Sequence, residues 1–143
     1  MATTYATVFG MFLAKVTDFD LADMTEEDAN VIMTDLLRQA VGKFSESCKK
    51  DLYDITDEQD GWNADFTDLE VDILSELMVE AWYKPCINNL DLMRNRLSTK
   101  DFTTFSPANL QKEVRESYDL AHKRARSMIN EYSFRMNDIG ELK

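Results

Sequence analysis

Residues 77–114, LMVEAWYKPCINNLDLMRNRLSTKDFTTFSPANLQKEV, decide how the rest of the chain is read. Leu77, Met78, Ala81 and Trp82 complete the apolar stripe of a helix. Pro85 lacks a backbone donor and predicts the end of that helix near Tyr83 or Lys84. Ile87, Leu90, Met93 and Leu97 then resume spacings of three and four, which predicts a second helix over about 86–97. Residues 98–105, STKDFTTF, are polar with two aromatics and read as a connector. Ser106 as N-cap with Pro107 at the first helical position predicts a fresh helix start.

Upstream of this stretch, Thr67-Asp68-Leu69-Glu70 has the form of a capping box, in which Thr67 and Glu70 each satisfy the other's backbone donor. It predicts a helix over 68–83, with Leu69, Ile73, Leu74, Leu77, Met78, Ala81 and Trp82 on one side. Asp72, Glu76 and Glu80 recur every fourth residue along one face. Such carboxylates can hold a metal between helices, but that site type also needs a Glu-x-x-His motif, which the sequence lacks. Downstream, Leu110, Val114, Ser117/Tyr118, Ala121, Ala125, Met128 and Tyr132 step by fours and threes, predicting a long helix from 107 to about 133 with a coiled-coil-like seam. His122 reads as a surface or interface residue on it. Residues 134–143, FRMNDIGELK, carry no clear period and read as an extended tail ordered by a partner.

The N-terminal half follows the same rules. Tyr5, Val8, Phe9, Phe12, Leu13 and Val16 mark a short helix, weakened by Gly10. Thr25 followed by Glu26, Glu27 and Asp28 is a helix start, and Ala29, Ile32, Met33, Leu36, Leu37, Ala40, Val41, Phe44 and Cys48 sustain that helix over about 26–50. Residues 51–65 hold six acids and read as a solvated loop whose exit is anchored by Trp62 and Phe66. Asp57-Glu58-Gln59-Asp60-Gly61 lacks the alternating ligands and closing Glu of a calcium loop.

The predicted fold is therefore all-α: a bundle of about four to five helices in one domain over 1–133, with a long C-terminal helix and a tail over 134–143. Four glycines and two prolines in 143 residues leave little material for the turns of an all-β fold. Residues 1–60 carry 13 acids against 5 bases, 61–97 carry 7 against 3, and 98–143 carry 7 against 8, for a net charge of −11. That balance opposes strong nucleic-acid binding, which gains affinity by neutralising phosphates. Cys48 and Cys86 share no metal-type spacing and read as reduced residues of the core. The sequence predicts no signal peptide and no membrane span, hence a protein made in the cytoplasm. It has no glycine-rich phosphate loop, CxxC, HExxH or GxSxG motif, so neither a catalytic residue nor a cofactor is expected.

Residues 69–134 carry a further signal. An apolar helix ending in tryptophan and proline, LMVEAWYKP, continues as INNLDLMRNRLSTKDFTTFSPANLQKEVRE and closes near MINEYSF. This pattern resembles small virion proteins of tailed bacteriophages of Gram-positive hosts, and it is similar to the head–tail connector or adaptor (neck) proteins. The resemblance implies a structural subunit of the virion neck. Such a subunit joins a homo-oligomeric, twelvefold ring beneath the portal protein, extends the channel through which double-stranded DNA passes without specific binding, and meets other neck or tail proteins. It also implies a C-terminal arm that docks on the portal, which here falls on Tyr132, Phe134, Arg135, Met136 and Ile139. Lys100, Asp101, Phe102 and Phe105 of the connector are expected to form a second contact surface. Stopper and tail-terminator proteins are typically β-rich, against the helical pattern here. A different class of function, a small acidic phage protein that regulates a host protein, needs acids gathered on one exposed face. The slightly basic C-terminal third argues against it, and the missing histidines argue against a carboxylate-metal enzyme.

Overall fold

A computed structural model describes residues 3–16, 26–58, 60–87 and 107–141. Four helices make up most of it: α1 (Tyr5–Lys15), α2 (Glu26–Phe44), α3 (Asp68–Tyr83) and α4 (Pro107–Glu141), with a single 3-10 turn, Lys84–Cys86, after α3. No strand occurs among the described residues; two isolated bridges, Thr4 to Gly61 and Ile55 to Trp62, tie the loop before α3 to itself and to the N-terminus. The all-α class expected from the sequence is the class observed. Of the expected helix over 86–97 only Cys86 and Ile87 are described, in the 3-10 turn and at its C-cap; the remainder and the N-caps Thr25 and Ser106 lie outside the described residues.

α3 is the centre of the bundle, and α1, α2 and α4 all pack against it. Its start is fixed locally: Thr67 Oγ1 accepts from the Glu70 amide at 3.2 Å, and Glu70 Oε1 accepts from the Thr67 amide at 2.8 Å. Its end is fixed by Pro85, which turns the last residues into the 3-10 turn. Between these limits the helix is covered on every side. Ile73, Leu74, Leu77, Met78 and Trp82 are buried as the apolar stripe requires, with Val71 in line with Met78 and Trp82, but so is Val79 on the opposite side, together with Glu70, Glu76 and Glu80. A helix enclosed by three others has no solvent face, so the single apolar side read from the sequence understates its burial.

The other helices each contribute one face. Val8 and Phe12 of α1 are buried, with Phe12 set edge-on to Trp82 at 6.3 Å between ring centroids. Met33, Leu36, Leu37, Ala40, Val41 and Phe44 of α2 close the second side. α2 ends at Phe44 rather than near residue 50. The cause is tertiary: the Lys49 amide donates to the Tyr132 hydroxyl at 2.9 Å, so the chain leaves the helical path to meet α4. On α4 the seam is as spaced in the sequence, with Val114, Ala121, Ala125 and Tyr132 buried.

The acidic loop is well anchored. Trp62 and Phe66 are buried, and Trp62 Nε1 donates to the Leu52 carbonyl at 2.9 Å. Thr3 and Trp62 pair through the backbone, Trp62 N to Thr3 O at 2.9 Å, and Thr3 N reaches Ala64 O at 3.0 Å. The approach leaves no room at Gly61, where a Cβ would stand 2.5 Å from the Thr3 carbonyl oxygen.

α4 departs most from the sequence reading. It continues to Glu141, so the backbone of 134–141 is helical where an unpatterned tail was expected after 133. Periodicity reports a face that packs within the chain, and past Tyr132 the helix leaves α3 behind. The turn there is supported instead by the Glu131–Arg135 ion pair at 2.6 Å, spaced i to i+4.

Candidate functional site

Two arrangements stand out: a set of buried carboxylates that pins the bundle, and the turn of α4 past Tyr132, where Phe134 and Arg135 are exposed. The carboxylates come from α3. Burying an ionised group is unfavourable unless it is paired and hydrogen-bonded, and each buried acid of α3 meets a partner from a different element. Lys15 of α1 bridges Glu76 at 2.7 Å and Asp72 at 2.5 Å. Lys50, after α2, reaches Glu70 at 2.5 Å. Lys43 of α2 lies 3.4 Å from Glu80, and His122 Nδ1 of α4 lies 2.5 Å from the same Glu80 oxygen. The set fixes the height at which each helix sits on α3. The four-residue spacing of Asp72, Glu76 and Glu80 thus serves pairing, and among the described residues no group of three or more His, Cys, Asp or Glu is arranged to hold a metal.

His122 is drawn into the fold more than its sequence position suggests. It stacks on Tyr118 with ring centroids 6.0 Å apart and lines a cavity of about 260 Å³ with Lys43, Glu80 and Arg126. Burial, followed by the negative charge of Glu80, raises the Tyr118 hydroxyl above its ordinary value. The sequence did carry a signal for this environment: Val79 falls beside Asp72 and Glu76 on the acidic side of α3, which marks that side as covered.

At the other end of α3, Tyr132 is fully buried. Its hydroxyl donates to Glu70 Oε2 at 2.9 Å and accepts from the Lys49 amide at 2.9 Å. Burial and the Glu70 carboxylate push this hydroxyl well above the usual tyrosine range. Burial alone raises the Glu70 carboxyl, but Lys50, the Thr67 amide and Tyr132 outweigh it and hold the group below its ordinary value. Cys48, 3.6 Å from Glu70, is a free thiol raised by burial. Tyr132 is therefore an internal residue that joins α4 to α3 and the turn after α2, not the surface contact expected of it.

The residues expected to dock a partner separate at this point. Phe134 is 67% exposed. Arg135 is exposed beside Glu131. Met136 and Ile139 lie on the helical backbone of α4, with their side chains outside the described residues, and Lys100, Asp101, Phe102 and Phe105 lie outside them altogether. The pairs Glu80–His122 and Glu70–Tyr132 show that α4 runs antiparallel to α3. α3 begins only at Asp68 while α4 runs on to Glu141; at about 1.5 Å per residue, the end of α4 overhangs α3 by roughly 10 Å. No helix among the described residues is long and apolar enough to cross a membrane. Comparison with family models, with characterised proteins and with solved structures finds no match.

Proposed function

We propose that this protein is a structural subunit of a phage virion neck, a head–tail connector or adaptor that assembles as a ring below the portal protein and joins capsid to tail. The observation that carries the reading is the overhanging end of α4, a helix held at its root by Tyr132 and presenting Phe134 and Arg135 outward. An exposed aromatic beside an arginine is the composition of an interface anchor. The pattern LSTKDFTTFSPAN, similar to connector proteins, points to the same role. A net charge of −11 suits a channel wall along which DNA slides without adhering. In this reading the protein has no catalytic activity and needs no cofactor, and its place is the neck of the virion.

The test is to mix the purified protein with the portal protein encoded by the same genome and measure particle mass. A stoichiometric complex supports the reading, and Phe134→Asp with Arg135→Glu should weaken it at least tenfold while leaving helix content unchanged. A protein indifferent to portal at high concentration refutes the reading and turns attention to a regulator of a host protein.

A further inference from the structure

Away from the overhang, Tyr5, Leu37, Arg38, Tyr53, Ile55 and Trp62 line an open groove of about 390 Å³ between α1, α2 and the loop before α3. Its floor is Trp62, and its lip carries Tyr53, 67% exposed, and Ile55, 39% exposed. The loop that forms the lip is strongly acidic: Asp51, Asp54, Asp57, Glu58 and Asp60 are all exposed, with no Lys or Arg between residues 51 and 60. Asp51 accepts from the Tyr53 amide, Asp54 from Asn63 Nδ2 and Asp60 from Thr56 Oγ1. Those neutral donors fix the carboxylates in place without cancelling their charge. Among the described residues, Arg38 is the one cation on the α2 wall of the groove, against five exposed carboxylates on the loop, so the lip favours an occupant with an apolar side chain and cations close beside it.

α4 presents that combination on another side of the molecule. Leu120 is 48% exposed. Lys123 and Arg124 follow at i+3 and i+4, one turn along the same face, and both are exposed. This stripe lies apart from the buried seam of Val114, Ala121, Ala125 and Tyr132. Groove and stripe belong to different elements and carry opposite charge. Groove against groove would set acid on acid, whereas groove against stripe is complementary. A contact between two different surfaces of identical chains is heterologous, and it leaves the pair with one free groove and one free stripe.

We propose that the acidic-lipped aromatic groove of one copy receives the Leu120, Lys123 and Arg124 stripe of a second copy. The contact deepens the connector reading by naming the subunit-to-subunit surface, and only the closure of a ring rests on that reading.

Light scattering on the full chain at low ionic strength tests it, with Tyr53→Lys damaging the groove and Leu120→Lys damaging the stripe. Both positions are exposed, and circular dichroism checks that both variants keep the wild-type helix content. Wild-type protein should rise above the 16.6 kDa of one chain as concentration increases. Each variant alone should stay at that mass. An equimolar mixture of the two should stop at twice that mass, because one intact groove meets one intact stripe, while the two damaged surfaces lack the aromatic lip and the apolar side chain that the contact needs. A wild-type protein that stays monomeric to its solubility limit overturns the proposal. So does a variant that assembles like wild type, or a mixture that stays monomeric while wild type assembles. No portal is present in this experiment, so its failure is distinct from a failure to dock on the portal.

Discussion

Replacing Tyr132 by Phe tests whether the C-terminal helix is rooted in the core. The substitution keeps the ring, which packs edge-on to Phe44 at 5.3 Å between centroids, and removes only the hydroxyl. Two interactions go with it: the donation to Glu70 Oε2 and the acceptance from the Lys49 amide, each at 2.9 Å. A hydrogen bond to a charged group contributes about 1.5–3 kcal/mol. The Lys49 amide belongs to an exposed residue and can turn to water, and no hydroxyl has to be desolvated, for a net loss of about 1–2 kcal/mol. With an unfolding entropy of about 2.1 cal/mol/K per residue, the expected fall in Tm is roughly 3–7 °C for a chain of this length. Urea denaturation followed by circular dichroism reads the same loss as a lower midpoint with an unchanged slope. The neighbour Phe134 is the control, since at 67% exposure its replacement by Ala should change stability by less than ~0.5 kcal/mol. A Tyr132→Phe variant within about 0.5 kcal/mol of wild type would refute this account of the site. Equal losses at the two positions would refute the division between root and overhang.

The remaining predictions concern the same framework. Glu70 has a folded pKa below its ordinary 4.5, so it binds a proton less readily when folded; its contribution is full above 4.5 and is lost as pH falls through the folded value. Stability measured against pH should therefore decline on that acid limb, and Glu70→Gln should flatten the decline while lowering stability at neutral pH. Gly61→Ala places a Cβ 2.5 Å from the Thr3 carbonyl oxygen, between two backbone segments with no side chain to swing aside. It should cost about 1–3 kcal/mol by denaturant titration, and a neutral result would show that the N-terminus is not held against this loop. The Cys48 thiol is raised by burial first and by Glu70 as well, so alkylation near neutral pH should be far slower in the folded protein than after unfolding. A rate equal to that of the unfolded chain would contradict the enclosed position of Cys48 beside Glu70 and Tyr132.

Much of the architecture was legible because the signals that encode it are local. The capping box at Thr67, Pro85 after α3, Pro107 at the head of α4 and the seam from Val114 to Tyr132 each act within a few residues, through backbone donors or helical spacing, and each lies where the sequence places it. Other features were less visible because their cause is a contact between distant residues. α2 stops at Phe44 because the Lys49 amide turns to Tyr132. The acids of α3 read as one face of an amphipathic helix, yet Lys15, Lys50, Lys43 and His122 arrive from other elements to pair with them inside. The exposed groove is equally non-local, since Tyr5, Leu37 and Trp62 come together only when the N-terminus pairs with the loop before α3.

By itself, then, the sequence determined the helical class, the three breakpoints around α3 and α4, and the charge division along the chain, because propensity, capping and composition are properties of short segments. Tertiary structure alone decided which polar residues are internal. It set Tyr132 inside and Phe134 outside although they stand two positions apart, because burial depends on what lies opposite a side chain and not on what stands beside it in the chain.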